Sequence, residues 1–132
     1  MKIEHIGIAV QDLEAAIQKY EKLLGTPCYK KETVESGKVN TAFFQTGESK
    51  VELLGAAGED SVIAQYLNKK GEGMHHVAMA VDDIEAEMAR LKNEGFTVLS
   101  EKPKRGADNK LVAFVHPKDC SGVLVELCQE RK

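Results

Sequence analysis

The chain has 132 residues, of which 42% are hydrophobic and 30% charged, with a net charge of −3. That length suits one domain, or two small modules sharing a core. The acidic balance argues against general nucleic-acid binding, which leaves a basic footprint, and no apolar run approaches the ~20 residues of a membrane span. The sequence opens directly on strand-like Lys2–Ile6 with no secretory leader pattern. Cys28, Cys120 and Cys128 form no C-x-x-C pair, and an odd count without metal-type spacing fits a reduced, cytoplasmic protein.

Residues Lys2–Val10 alternate as a strand, with Ile6, Ile8 and Val10 on one face and His5, Gly7 and Ala9 on the other. Asp12 has the acceptor side chain of an N-cap. Leu13, Ala16, Ile17, Tyr20 and Leu24 come after it at helical spacing until Gly25 stops the helix. Three strands are predicted next, over Cys28–Glu35, Val39–Thr46 and Ser49–Gly55, with turns at Ser36-Gly37 and Thr46-Gly47. Gly55–Asp60 is linker-like. A short helix begins at Asp60 or Ser61, carries Val62, Ile63, Tyr66 and Leu67, and bridges to the second half of the chain.

Met74–Val81 then reads as a strand with Met74, His76, Ala78 and Ala80 on one face. Asp83 caps a helix bearing Ile84, Met88 and Leu91, and Gly95 ends it. Further strands are predicted over Phe96–Ser100, Leu111–His116 and Gly122–Cys128. This second half repeats the first. The run from His5 to Val10 returns as His76 to Val81, 71 positions on, and Ala42-Phe43-Phe44 returns as Ala113-Phe114-Val115 at the same offset. Val51-Glu52-Leu53 returns as Val125-Glu126-Leu127 at an offset of 74, the three extra residues falling in the Pro117–Ser121 loop. The pattern predicts one domain of the α+β class made of two fused βαβββ modules, residues 1–55 and 72–132, joined by a bridging segment, 56–71. In each module a helix covers one sheet face and leaves the other bare, so two curved sheets can enclose a shared cleft.

Pairing the repeats singles out His5, Glu52, His76 and Glu126. Each lies in a predicted strand, on the face opposite the main apolar stripe. A lone strand histidine is ordinarily structural and a lone outward glutamate ordinarily solvated. Four ligand-type residues at matched positions of a repeat point instead to a metal site. Two imidazoles and two carboxylates suit a divalent ion such as manganese, iron, cobalt, nickel or zinc. The neighbouring Gly7, Ala9, Ala78 and Ala80 leave room above it. His75 alternates to the apolar face and has Glu4 as its counterpart, so it reads as structural. His116, before Pro117, reads as a loop-ordering residue, and Cys128 as a packed cysteine.

With these residues in view, the chain resembles the vicinal oxygen chelate (glyoxalase/bleomycin resistance/dioxygenase) superfamily and, within it, the methylmalonyl-CoA epimerases. The resemblance spans roughly Ile3 to Gln129. Its most specific pieces are His5–Val10 followed by Asp12-Leu13-Glu14, then Val51–Leu54, Gly73-Met74-His75-His76 and His116–Leu127. It implies metal ligation by His5, Glu52, His76 and Glu126, the ion being cobalt, manganese, zinc, nickel or magnesium. It also implies epimerisation of methylmalonyl-CoA at C2 through an enolate, and a homodimer. Glu52 and Glu126 are the expected catalytic bases. Some members carry an acidic residue, proposed as a second base, at the position matching Asn40, and asparagine cannot take that role. Lys102, Lys104, Arg105, Lys110 and Lys118 read first as a solvated face and second as contacts for coenzyme A phosphates. The alternatives are a glyoxalase-type isomerase of a glutathione hemithioacetal, an extradiol dioxygenase, and a metal-free binding module of the same fold.

Overall fold

The computed structural model describes residues 1–131. The chain forms two compact units: one spans His5–His75, and the other comprises the chain from His76 onward together with Met1–Glu4.

The first half runs β1 (Lys2–Ala9), α1 (Leu13–Leu24), β2 (Lys30–Val34), β3 (Val39–Thr46) and β4 (Ser49–Ala56), followed by α2 (Val62–Lys70). Its strands lie in the order β2-β3-β4-β1, with β1 parallel to β4 and the other neighbours antiparallel. The start of α1 is fixed by the Asp12 carboxylate, which accepts from the Ala15 N–H at 3.1 Å. Its end is fixed by Gly25 at φ +67°. The helical stripe of Leu13, Ala16, Ile17, Tyr20 and Leu24 packs on Ile8, Val10, Ala42, Phe44, Val51 and Leu53. These strand residues alternate with those of the other face, so burying them turns His5 and Glu52 away from α1.

That other face is not bare as expected. The helix read as a bridge between the modules lies across one end of it, with Ile63, Leu67 and Tyr66 against Ala9, Val34, Val39 and Leu54. Ile63 and Leu67 are one turn apart and supply the apolar stripe that this end of the sheet needs. Fully buried Ser61 caps α2, its hydroxyl oxygen accepting from the Ile63 N–H at 3.1 Å.

The second half repeats the βαβββ order with β5 (Gly73–Ala80), α3 (Ile84–Asn93), β6 (Lys104–Arg105), β7 (Lys110–Val115) and β8 (Val125–Glu130). The strand order is β5-β8-β7-β6, with β5 parallel to β8. Asp83 caps α3 through the Ala86 N–H at 3.1 Å. Ile84, Met88 and Leu91 pack on Met79, Val81, Ala113, Val115, Val125 and Leu127. The α+β class and the doubled βαβββ order therefore match the sequence reading.

One predicted strand does not form as a strand. Phe96–Ser100 makes a single bridge, Val98 to Val115, because Phe96 and Val98 gain their burial directly beneath α3. The edge strand is instead the two-residue β6, which pairs with Val112 and Leu111. The last strand begins at Val125 rather than Gly122, since Ser121 and Gly122 turn the chain at φ +58° and +89°. Among the described residues no helix is long and apolar enough to cross a membrane.

This packing makes two stability predictions. Ser61→Ala should lower unfolding free energy by about 1 kcal/mol, the scale of a lost N-cap. This would be read as a lower denaturant midpoint with unchanged slope; an unchanged midpoint would show that α2 does not depend on its cap. The Thr97 N–H donates to Asp119 at 2.8 Å, and this hydrogen bond holds the Asp119 carboxyl below its ordinary value. A depressed folded-state value contributes stability that is complete above the ordinary carboxylate value and is lost as pH falls through the folded one. Acidification should therefore lower the protection of the Thr97 amide, its exchange rate taken relative to the intrinsic rate at the same pH, and Asp119→Asn should flatten that dependence.

Candidate functional site

Each half of the chain builds the same local arrangement. In the first, Gly7, Glu52, Phe43 and Lys30 stand side by side across β1, β4, β3 and β2. His5 lies two residues before Gly7 and so on the same face. Its Nε2 is 3.9 Å from Glu52 Oε1. In the second half Ala78, Glu126 and Phe114 stand side by side across β5, β8 and β7. His76 lies two residues before Ala78, and its Nε2 is 3.1 Å from Glu126 Oε1. The His76 ring also meets Phe114 edge-on, centroids 6.1 Å apart.

All four polar residues are at most 6% exposed. A carboxylate buried without a partner costs several kcal/mol, and each of these faces an imidazole. Imidazole nitrogen and carboxylate oxygen, brought together on a buried sheet face, are the donor types that hold borderline divalent ions. The residues present fit a metal of the kind expected from the sequence.

The remaining sequence candidates separate clearly. His75 stacks edge-on to Tyr66 at 4.8 Å, a packing role as predicted. His116 orders its loop: its Nδ1 accepts from the Lys118 N–H at 3.0 Å and caps the single turn Pro117–Asp119. Cys128 is buried, its Sγ 3.5 Å from the Met79 carbonyl oxygen.

One expectation needs correction. Lys110 is not part of a solvated lysine face. It is 6% exposed, and its Nζ lies 3.4 Å from Glu130 across the β7–β8 ladder. Its aliphatic stem is buried along the strand while the charge meets a carboxylate. Lys102, Lys104, Arg105 and Lys118 are exposed as expected. Asn40 is excluded as a proton carrier by position as well as chemistry. It pairs with Gly55 and alternates with Thr41 and Phe43, so it shares the α1 side with Ala42 and Phe44, opposite Glu52. There it accepts from the Thr33 hydroxyl at 2.7 Å.

The sequence reading overlooked the phenylalanines beside the two glutamates. Their signal was present, since Phe43 and Phe114 are partners in the repeat. It also overlooked Lys30 and Glu32, which alternate with Val34 onto the Glu52 face of the edge strand.

Comparison with known proteins places this arrangement. The family model of the Glyoxalase/Bleomycin resistance protein/Dioxygenase superfamily matches residues 4–114. The chain is 44% identical over 129 residues to the human mitochondrial methylmalonyl-CoA epimerase, covering 97% of this chain and 73% of that protein. It is 43% identical to an ethylmalonyl-CoA/methylmalonyl-CoA epimerase of Cereibacter sphaeroides, covering 97% of each. Among solved structures it resembles a variant Streptomyces coelicolor methylmalonyl-CoA epimerase in complex with 2-nitronate-propionyl-CoA. The TM-score is 0.91 at 37% identity, over 98% of this chain and 94% of that one. With the βαβββ unit built twice and a buried His–Glu pair in each copy, the chain belongs to the Glyoxalase/Bleomycin resistance protein/Dioxygenase superfamily and groups within it with the methylmalonyl-CoA epimerases.

Proposed function

We propose that this chain interconverts the two C2 epimers of methylmalonyl-CoA. The carrying observation is the doubled, buried His–Glu pair in a chain 43–44% identical to epimerases of that substrate. In this reading residues 1–132 act as one domain, and His5, Glu52, His76 and Glu126 together hold a single divalent ion. Bound there, such an ion supplies Lewis acidity toward a carbonyl oxygen of the substrate.

The proton between a thioester and a carboxylate is only weakly acidic, so its removal needs a positioned base. One glutamate takes the C2 proton, and the electron pair of that C–H bond moves into the thioester carbonyl to give a planar enolate. A proton returned to the opposite face of C2 completes the inversion. Glu52 and Glu126 are equivalent in the repeat, which supports giving each the proton of one epimer. His5 and His76 hold these carboxylates in place, and buried Phe43 and partly buried Phe114 stand against their flanks. This reading carries with it a homodimer, as the family resemblance implies, and a cytoplasmic location, in keeping with the cysteine pattern and with a bacterial epimerase among the relatives.

The test is exchange of the C2 proton of methylmalonyl-CoA with heavy water, alongside a glutathione hemithioacetal as competing substrate. Both epimers of methylmalonyl-CoA should exchange, and a chelator should stop it. Turnover of the hemithioacetal alone would move the chain to the glyoxalase-type reading. Glu52→Gln should keep the metal and slow exchange of one epimer by about 10²–10⁴-fold, the usual worth of a general base, while sparing the other. Equal slowing of both epimers would contradict separate roles for the two glutamates. A ligand that binds only the folded form adds stability by mass action, so metal removal should lower the unfolding temperature and resupplied cobalt or manganese should restore it.

A further inference from the structure

The first half's sheet carries a second polar feature on the face of Glu52. β2 is the edge strand, and its residues alternate so that Lys30, Glu32 and Val34 share that face. Val34 belongs to the cluster beneath α2. Lys30 and Glu32 form an ion pair, Nζ to Oε1 3.4 Å, with side chains 39% and 32% exposed. Lys30 stands beside Phe43, which stands beside Glu52, so two strand spacings, roughly 10 Å, separate the candidate base from the lysine. Phe43 fills the gap between them and is 1% exposed. The Lys30 ammonium lies over its ring, 5.7 Å from the centroid. Glu32 is also held: its carbonyl oxygen accepts from the buried Thr41 hydroxyl at 2.9 Å. The other end of this face is closed by Ile63 and Leu67 of α2.

A row that begins at a buried base and ends in a half-exposed ammonium–carboxylate pair has a direction. A substrate whose reacting carbon lies at Glu52 must send the rest of its structure outward. In a coenzyme A thioester the sulfur and two methylenes separate the acyl group from the first amide. An amide offers one acceptor and one donor, and Lys30 and Glu32 offer one donor group and one acceptor group side by side.

We propose that Lys30 and Glu32 are a specificity-determining pair for the acyl thioester, Lys30 donating to the first amide carbonyl of its pantetheine tail and Glu32 accepting from the amide N–H. This rests on the epimerase reading above. Charges turned inward on an edge strand also guard a sheet against edge-to-edge pairing. That role is indifferent to the substrate's tail, which is what separates the two explanations.

The experiment compares methylmalonyl-CoA with the S-propyl thioester of methylmalonic acid, which keeps the reacting group and lacks the amide. The wild type, Lys30→Met and Glu32→Gln are assayed on both. On methylmalonyl-CoA each variant should lose roughly tenfold in kcat/KM, chiefly through KM, the scale of one hydrogen bond to a charged group. On the S-propyl thioester the variants and the wild type should agree within about twofold. Equal losses on both thioesters, or no loss on either, in variants with unchanged melting temperature would overturn the role of the pair while leaving the epimerase reading intact. A wild-type protein inactive on methylmalonyl-CoA would remove both.

Discussion

The structure is organised around the cost of burying a carboxylate. Glu52 and Glu126 are almost wholly removed from solvent, where an uncompensated negative charge would cost several kcal/mol. Each is offset by an imidazole from the neighbouring parallel strand. That pairing works only if the two side chains leave the same sheet face with nothing bulky between them. Gly7 and Ala78 sit directly beside the glutamates and meet the condition. The opposite faces carry the apolar residues that α1 and α3 cover. The helices therefore supply stability on one side and, by strand alternation, fix the polar side for chemistry.

The two halves are equivalent without being identical. Helix α2 closes one end of the Glu52 face with Ile63 and Leu67. In the second half Lys110 takes the repeat position of Val39 and meets Glu130 instead. The His–Glu separations differ as well, 3.9 Å against 3.1 Å.

Much of this is legible in the sequence because the repeat carries it. A single His5 on a strand says little. The return of His-x-Gly/Ala-x-Ala 71 positions later, with Glu52 returning as Glu126, picks out four residues by position alone. The caps at Asp12 and Asp83 are legible because a side-chain acceptor ahead of an apolar stripe has one physical use. Tertiary choices are less visible. Phe96 and Val98 look like a strand in sequence, yet burial beneath α3 satisfies them with one bridge. Lys110 looks like a surface lysine until the register opposes it to Glu130. Asn40 matches a family position by counting, and strand alternation places it on the other face. A one-residue offset is enough to do that.

The central proposal is that the two His–Glu pairs serve one ion rather than two. Titrating metal-stripped protein with Co²⁺ and reading bound metal per chain tests it directly in the wild type, His5→Ala and His76→Ala. The account predicts one ion per chain in the wild type and a loss of at least roughly tenfold in affinity from either histidine change, as expected when a first-row ion loses a ligand from a shared site. Two ions per wild-type chain, with each variant keeping one at undiminished affinity, would contradict it.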